Sequence, residues 1–114
     1  MTKQEMETLV ERQLEAYNRH DLDAFCACYH PEVEVSRSIG EAPNVKGMKD
    51  FRAVYEDRFQ SAELHAEIGK RIVLENAVID EERVVGLASA PNGLHVAAIY
   101  GFRDGLIQKV TFVR

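Results

Sequence analysis

Three consecutive carboxylates and an arginine, Asp80-Glu81-Glu82-Arg83, form the densest ionisable group in the second half of this 114-residue chain. They sit in the run Ile79-Asp80-Glu81-Glu82-Arg83-Val84, whose apolar borders mark a strand. Alternation along a strand sends Asp80 and Glu82 to one face and Glu81 and Arg83 to the other. If the Asp80/Glu82 face looks inward, burial and mutual repulsion raise one of the two pKa values, giving a general acid beside a general base. If it looks outward, the same residues are a solvated strand face with a surface ion pair, and their energetic weight is small.

Aromatic residues supply what such a pair would act beside. Tyr17, Tyr55 and Tyr100, with Phe25, Phe59 and Phe112, fall in segments expected to contribute to the interior. They serve as core packing, as an aromatic wall for a flat apolar ligand, or as both if a cavity is partly filled. A hydroxyl from Tyr17 or Tyr55 would stabilise developing oxyanion charge, and Arg37 would orient or neutralise the ligand or clamp a carboxylate. The candidate proton-transfer residues are therefore Asp80, Glu82 and Tyr17. The candidate ligand-binding residues are Arg37, Tyr55, Phe59, Ala98, Tyr100 and Phe112.

Other chemistries find little support. His20, His30, His65 and His95 are scattered, and no H-x-H, H-E-x-x-H or C-x-x-C occurs, so neither a metal site nor a cofactor is predicted. There is no G-x-S-x-G elbow and no glycine-rich phosphate loop. Cys26 and Cys28, two apart, point in different directions on a helix and read as reduced thiols in or near the core. A net charge of −5 with no basic run longer than Lys70-Arg71 disfavours nucleic acid and acidic membrane surfaces. The acid-rich N-terminal segment does not look like a targeting peptide, and the expected location is cytoplasmic.

The elements that must position these residues follow from periodicity. Met6, Leu9, Val10, Leu14 and Tyr17 recur at spacings of three and four between Thr2 and Asn18, which predicts an amphipathic helix. Asp21 is a candidate N-cap for a second helix over Leu22 to Tyr29, which Pro31 would stop before a strand carrying Val33 and Val35. Ser36 to Lys46 reads as an exposed loop and Met48 to Gln60 as a third helix. Strands are predicted over His65 to Leu74, Ala77 to Ala88, Leu94 to Phe102 and Leu106 to Val113, with Asp104-Gly105 a tight-hairpin signal. On these signals residues 1–114 form one α+β domain with the helices on one face of a mainly antiparallel sheet. If Ala98 and Tyr100 face the interior, His95 faces out, toward a possible self-association surface shared with Ala97 and Ile99.

The segment Y-N-R-H-D-L-D-A-F, followed by Y-H-P-E-V-E-V, together with the closing I-Y-G-F-R-D-G-L-I-Q-K-V-T-F-V-R, resembles the nuclear-transport-factor-2-like superfamily. That group includes steroid delta-isomerases and SnoaL-like polyketide cyclases. The resemblance implies a cone-shaped, cystatin-like α+β fold, a curved sheet enclosing an apolar cavity, and commonly a homodimer. In the steroid isomerases an Asp moves the proton while a Tyr and a protonated Asp stabilise the enolate. The matching positions here are Arg37 for the base, Gln13 for the Tyr and Ala98 for the acid, so the usual mechanism is vacant. The expected function is a cavity protein for a small, largely apolar molecule, with acid/base turnover of isomerase, dehydratase or cyclase type. The alternative is a noncatalytic binding or dimerisation module with a packed cavity.

Overall fold

The computed structural model describes residues 1–114. Three helices, α1 (Lys3–Asn18), α2 (Leu22–Cys26) and α3 (Met48–Arg58), accompany six strands. These are β1 (Tyr29–Ser36), β2 (Val45–Lys46), β3 (His65–Val73), β4 (Ala77–Val85), β5 (Leu94–Arg103) and β6 (Leu106–Val113). They form one mixed sheet in the order β2-β1-β6-β5-β4-β3, in which only the β1/β6 pairing is parallel. The architecture is α+β, with α1 against β3, β4 and β6 and α3 against β1 and β2. No helix is long and apolar enough to cross a membrane.

Local chemistry fixes the helix ends. Thr2 and Glu5 form a reciprocal capping box at the start of α1, satisfying two of the donors that a helix start leaves free. The buried residues of α1 are Met6, Leu9, Val10, Gln13, Ala16 and Tyr17, so Leu14 of the expected stripe is only half-buried while Gln13 and Ala16 join it. At its end the Asn18 amide exchanges two hydrogen bonds with the backbone of Ala66, and His20 bonds the Leu64 carbonyl at 2.8 Å. That anchorage holds His20 at φ 57, a region few non-glycine residues visit. Asp21 then caps α2 by accepting from the Ala24 N–H at 3.1 Å.

Two boundaries differ from expectation. Helix α2 ends at Cys26, three residues early, and Pro31 lies inside β1 instead of preceding it. The β1/β6 register shifts between Tyr29 and Glu34, so the proline occupies an irregular stretch where no ladder N–H is required. Within the predicted loop, Val45 and Lys46 form a short sixth strand against Val35 and Glu34. The Asp104-Gly105 hairpin has positive φ at both residues, 54° and 77°, as a type I′ turn demands. At the same corner buried His30 accepts the Glu32 N–H at Nδ1 and faces Asp104 through Nε2 at 3.1 Å, tying the start of β1 to the last hairpin.

One irregularity decides the site. Strand β3 pairs Ile68 with Glu82 and Arg71 with Asp80, so three steps on β3 match two on β4. The extra residue is a β-bulge at Gly69-Lys70, and it reverses the facing of everything after it. Arg71, which simple alternation would send to the face opposite Ile68, turns inward beside Asp80. On the outer face the Glu81 carboxylate lies over Gly69, where an added Cβ would come within 2.5 Å of Oε1. The core itself is a 22-residue cluster centred on Phe25, whose ring stacks on Phe51 at 5.7 Å and meets Tyr17, Tyr29, Tyr55 and Phe59.

Candidate functional site

Asp80 and Glu82 both point inward, at 0% and 9% exposure, along with Val78 and Val84 of the same strand face. Their surroundings differ. Both Asp80 oxygens accept from Arg71, at 2.7 Å from Nε and 3.0 Å from the second guanidinium nitrogen. Arg71 also donates to Glu11 of α1 at 3.0 Å, so the guanidinium joins helix to sheet. The first consequence of this arrangement is that the guanidinium is held firmly protonated, chiefly by its bond to Asp80. The second is that both Asp80 oxygens are engaged by a guanidinium, which holds Asp80 as its charged partner and not as a free proton-exchange group. The expected acid/base pair is thus corrected: Asp80 is an ion-pair partner, and Glu82 is left to act alone. The partner is Arg71, which the bulge turns inward.

Glu82 has no ion-pair partner and faces a small pocket. Tyr17 and Leu14 of α1, Tyr55 and Arg58 of α3, Tyr100 of β5 and Phe112 of β6 share the lining with it. Burial, and next the charge of Asp80, push the Glu82 carboxyl up to about 7, with Arg58 pulling weakly the other way. A carboxyl so placed exchanges protons near neutral pH. Burial raises the phenols of Tyr17, Tyr29, Tyr55 and Tyr100 as well, so they stay neutral donors. The free space is about 20 Å³, which is water-sized. Its rim consists of the half-buried side chains Leu14, Arg58 and Phe112.

On the pocket wall the buried amide of Gln13 sets hydrogen-bond directions. Gln13 Nε2 donates to the Val10 carbonyl at 3.0 Å and to the Tyr100 hydroxyl at 3.2 Å, while Gln13 Oε1 accepts from the Tyr29 hydroxyl at 2.7 Å. A carbonyl only accepts, so the nitrogen end of the amide must face Val10. Tyr100 therefore receives a hydrogen bond at its oxygen and keeps its own proton for a group in the pocket.

Of the residues singled out from sequence, Glu82, Tyr17, Tyr55, Tyr100 and Phe112 meet around this pocket. Phe59 stands behind Tyr17, with ring centroids 5.4 Å apart, and Ala98 is wholly buried in the sheet opposite Asp80, so neither lines the space. Arg37 is exposed on the loop after β1, outside the pocket, and its expected ligand-binding place is taken by Arg58. The signal for Arg58 was available: it lies three residues after Tyr55 and seven after Phe51, on the apolar face of α3. Arg71 carried no such signal, since its facing depends on a bulge. Cys26 and Cys28 are buried free thiols, and burial raises both pKa values. His95 faces outward and bonds Glu81 at 2.9 Å. No cluster of three or more His, Cys, Asp or Glu side chains is placed to hold a metal.

Residues 10–110 match the family described as the SnoaL-like domain. No curated protein is significantly similar in sequence. Among solved structures, an uncharacterised cystatin-fold protein from Novosphingobium aromaticivorans superposes with a TM-score of 0.84 at 22% identity, over 100% of this chain and 99% of that one. A candidate polyketide cyclase from Sinorhizobium meliloti gives 0.78 at 16% identity, over 98% and 99%. A candidate ketosteroid isomerase from Kribbella flavida gives 0.79 at 12% identity, over 96% and 76%. At these identities the likeness establishes a cystatin-like, nuclear-transport-factor-2-like fold and says nothing of the reaction.

Proposed function

Because the chain belongs to the SnoaL-like domain family of the nuclear-transport-factor-2-like superfamily, we propose that it is a single domain whose pocket takes a small, largely apolar molecule and moves a proton on it. The turnover is of isomerase, dehydratase or cyclase type and runs without the usual steroid isomerase residues. One observation carries this reading: the buried Glu82 carboxyl, unpartnered, faces the pocket with its pKa raised to about 7 by burial and by Asp80. Glu82 takes the proton from carbon and returns it. The hydroxyls of Tyr100 and Tyr17, with Arg58, hold the oxygen on which charge develops. Asp80 acts through its charge and through Arg71, not by touching substrate.

Exchange of deuterium from solvent into the α-positions of cyclohexanone, followed by NMR, tests this directly. The intact protein should accelerate the exchange, and Glu82→Gln should lower the rate by roughly 10²-fold or more, with Arg37→Ala without effect. An exchange rate no faster than buffer, or one that survives Glu82→Gln, would remove Glu82 from the role.

A second reading is favoured by the small free volume: a noncatalytic binding or dimerisation module with its cavity packed shut. Its contact surface is the outer sheet face, where His95, Ala97 and Ile99 of β5 lie near the exposed Val85 and Ile72. Sedimentation at micromolar concentration tests this reading, since a strict monomer contradicts the dimerisation module and leaves the Glu82 chemistry standing.

A further inference from the structure

We propose that the molecule admitted to this pocket carries a negative charge, a carboxylate or an acidic enol, and that Arg58 is the group that holds it. The inference deepens the functional reading above and rests on it. It begins from a charge account of the interior. Asp80 is cancelled by Arg71, which faces it with two hydrogen bonds and turns a third donor to Glu11. The phenols of Tyr17, Tyr29, Tyr55 and Tyr100 are neutral. Glu82, when protonated, adds nothing. Arg58 is then the only uncompensated charge in the pocket.

The geometry around Arg58 agrees. The ion pairs of the chain engage Arg19, Arg52, Arg71 and Arg103, and Arg58 enters none of them. Its guanidinium carbon lies 4.9 Å from the centroid of the Tyr55 ring, so one face of the planar group rests on an aromatic surface. A guanidinium seated this way still presents the N–H edge, the part that binds a carboxylate through two parallel bonds. Half-burial without an anion is unfavourable for such a group, and a ligand carboxylate supplies the missing partner. Arg58 also forms part of the rim of this water-sized space, with Leu14 and Phe112, so the side chain that meets the anion stands where its apolar body would enter.

The competing account is that Arg58 is satisfied within the chain, by its stacking on Tyr55 and its approach to the Tyr17 hydroxyl. Benzoate and its uncharged isostere benzamide, titrated into the intact protein by NMR, decide between them. At pH 6 benzoate should bind at least tenfold tighter than benzamide. Arg58→Met, which keeps the stem, should erase the preference, Arg58→Lys should retain part of it, and Arg37→Ala should leave it whole. The preference should shrink above pH 7, where Glu82 ionises and the pocket loses its net charge. Equal affinities, a preference that survives Arg58→Met, or no binding of benzoate each overturns the proposal. Cyclohexanone exchange tells whether the functional reading falls with it: exchange that still depends on Glu82 keeps that reading, while loss of both leaves the packed module.

Discussion

Asp80 and Glu82 occupy the same face of the same strand two residues apart, and they have opposite fates. Asp80 is wholly buried and bound at both oxygens by Arg71, whereas Glu82 is nearly as buried and bound by no cation. Glu81, between them, points outward and rests over Gly69 beside His95, where hydrogen bonds from His95 and the Lys70 backbone lower its pKa. The difference between the two inner carboxylates comes from the neighbouring strand: one inserted residue brings a guanidinium to Asp80, while Glu82 stands opposite Ile68. Burial of a carboxylate is therefore not in itself a functional signal. A buried carboxylate without a partner is one.

The largest effect should come from breaking the satisfied member. Asp80→Asn leaves Arg71 with its main anion gone in a mostly buried setting, and should cost about 3–5 kcal/mol in urea unfolding. A loss no greater than that of Glu82→Gln would mean the two carboxylates are not different after all. The next effect appears as pH dependence. The folded-state pKa of Glu82, about 7, lies above its ordinary value of 4.5, so the unfolded chain releases this proton first. The stability it contributes is fully present below pH 4.5 and is lost as pH rises through 7, a fall of about 3 kcal/mol. Glu82→Gln should lack that slope, and a wild-type slope identical to the variant's would refute the raised pKa.

Removing the buried amide sharpens the comparison from below. Gln13→Leu strips the Tyr29 and Tyr100 hydroxyls of a partner and should cost about 1–3 kcal/mol at any pH between 5 and 8. A pH-dependent loss would implicate Glu82 in that network. The smallest effect belongs to the outward carboxylate: Glu81→Gln should leave the urea midpoint unchanged within error, as expected for an exposed pair.

Much of this was legible in the chain. The D-L-D cap, the Asp104-Gly105 turn and the periodicities gave three helices and all four long strands of the second half within a few residues. The common facing of Asp80 and Glu82 followed from alternation alone. What alternation cannot see is a bulge, and the bulge at Gly69-Lys70 is why Arg71 was not foreseen as the partner of Asp80. The charge of Arg37 suits a ligand clamp, but a residue on the loop after β1 has no facing that alternation can set. Arg58 is the reverse case, written in the spacing of α3, although charged residues usually lie on a helix's wet face. Pro31 reads as a helix stop because a proline usually ends a helix. Here an irregular parallel register lets a strand carry it.

The corner that seats Tyr17 has another effect on the molecule. Strand β3 is the last in the sheet, and an open strand edge invites the strand of a second chain to add on. At Ala66 both backbone groups are already taken by the Asn18 side-chain amide, which stands where a neighbouring peptide would bind, and His20 occupies the carbonyl of Leu64. Beyond them the Gly69-Lys70 bulge breaks the row. A turn that sets the wall of an interior pocket thus also blunts the edge against strand-by-strand aggregation, and the chain keeps its sheet from growing with the same few residues that shape its interior.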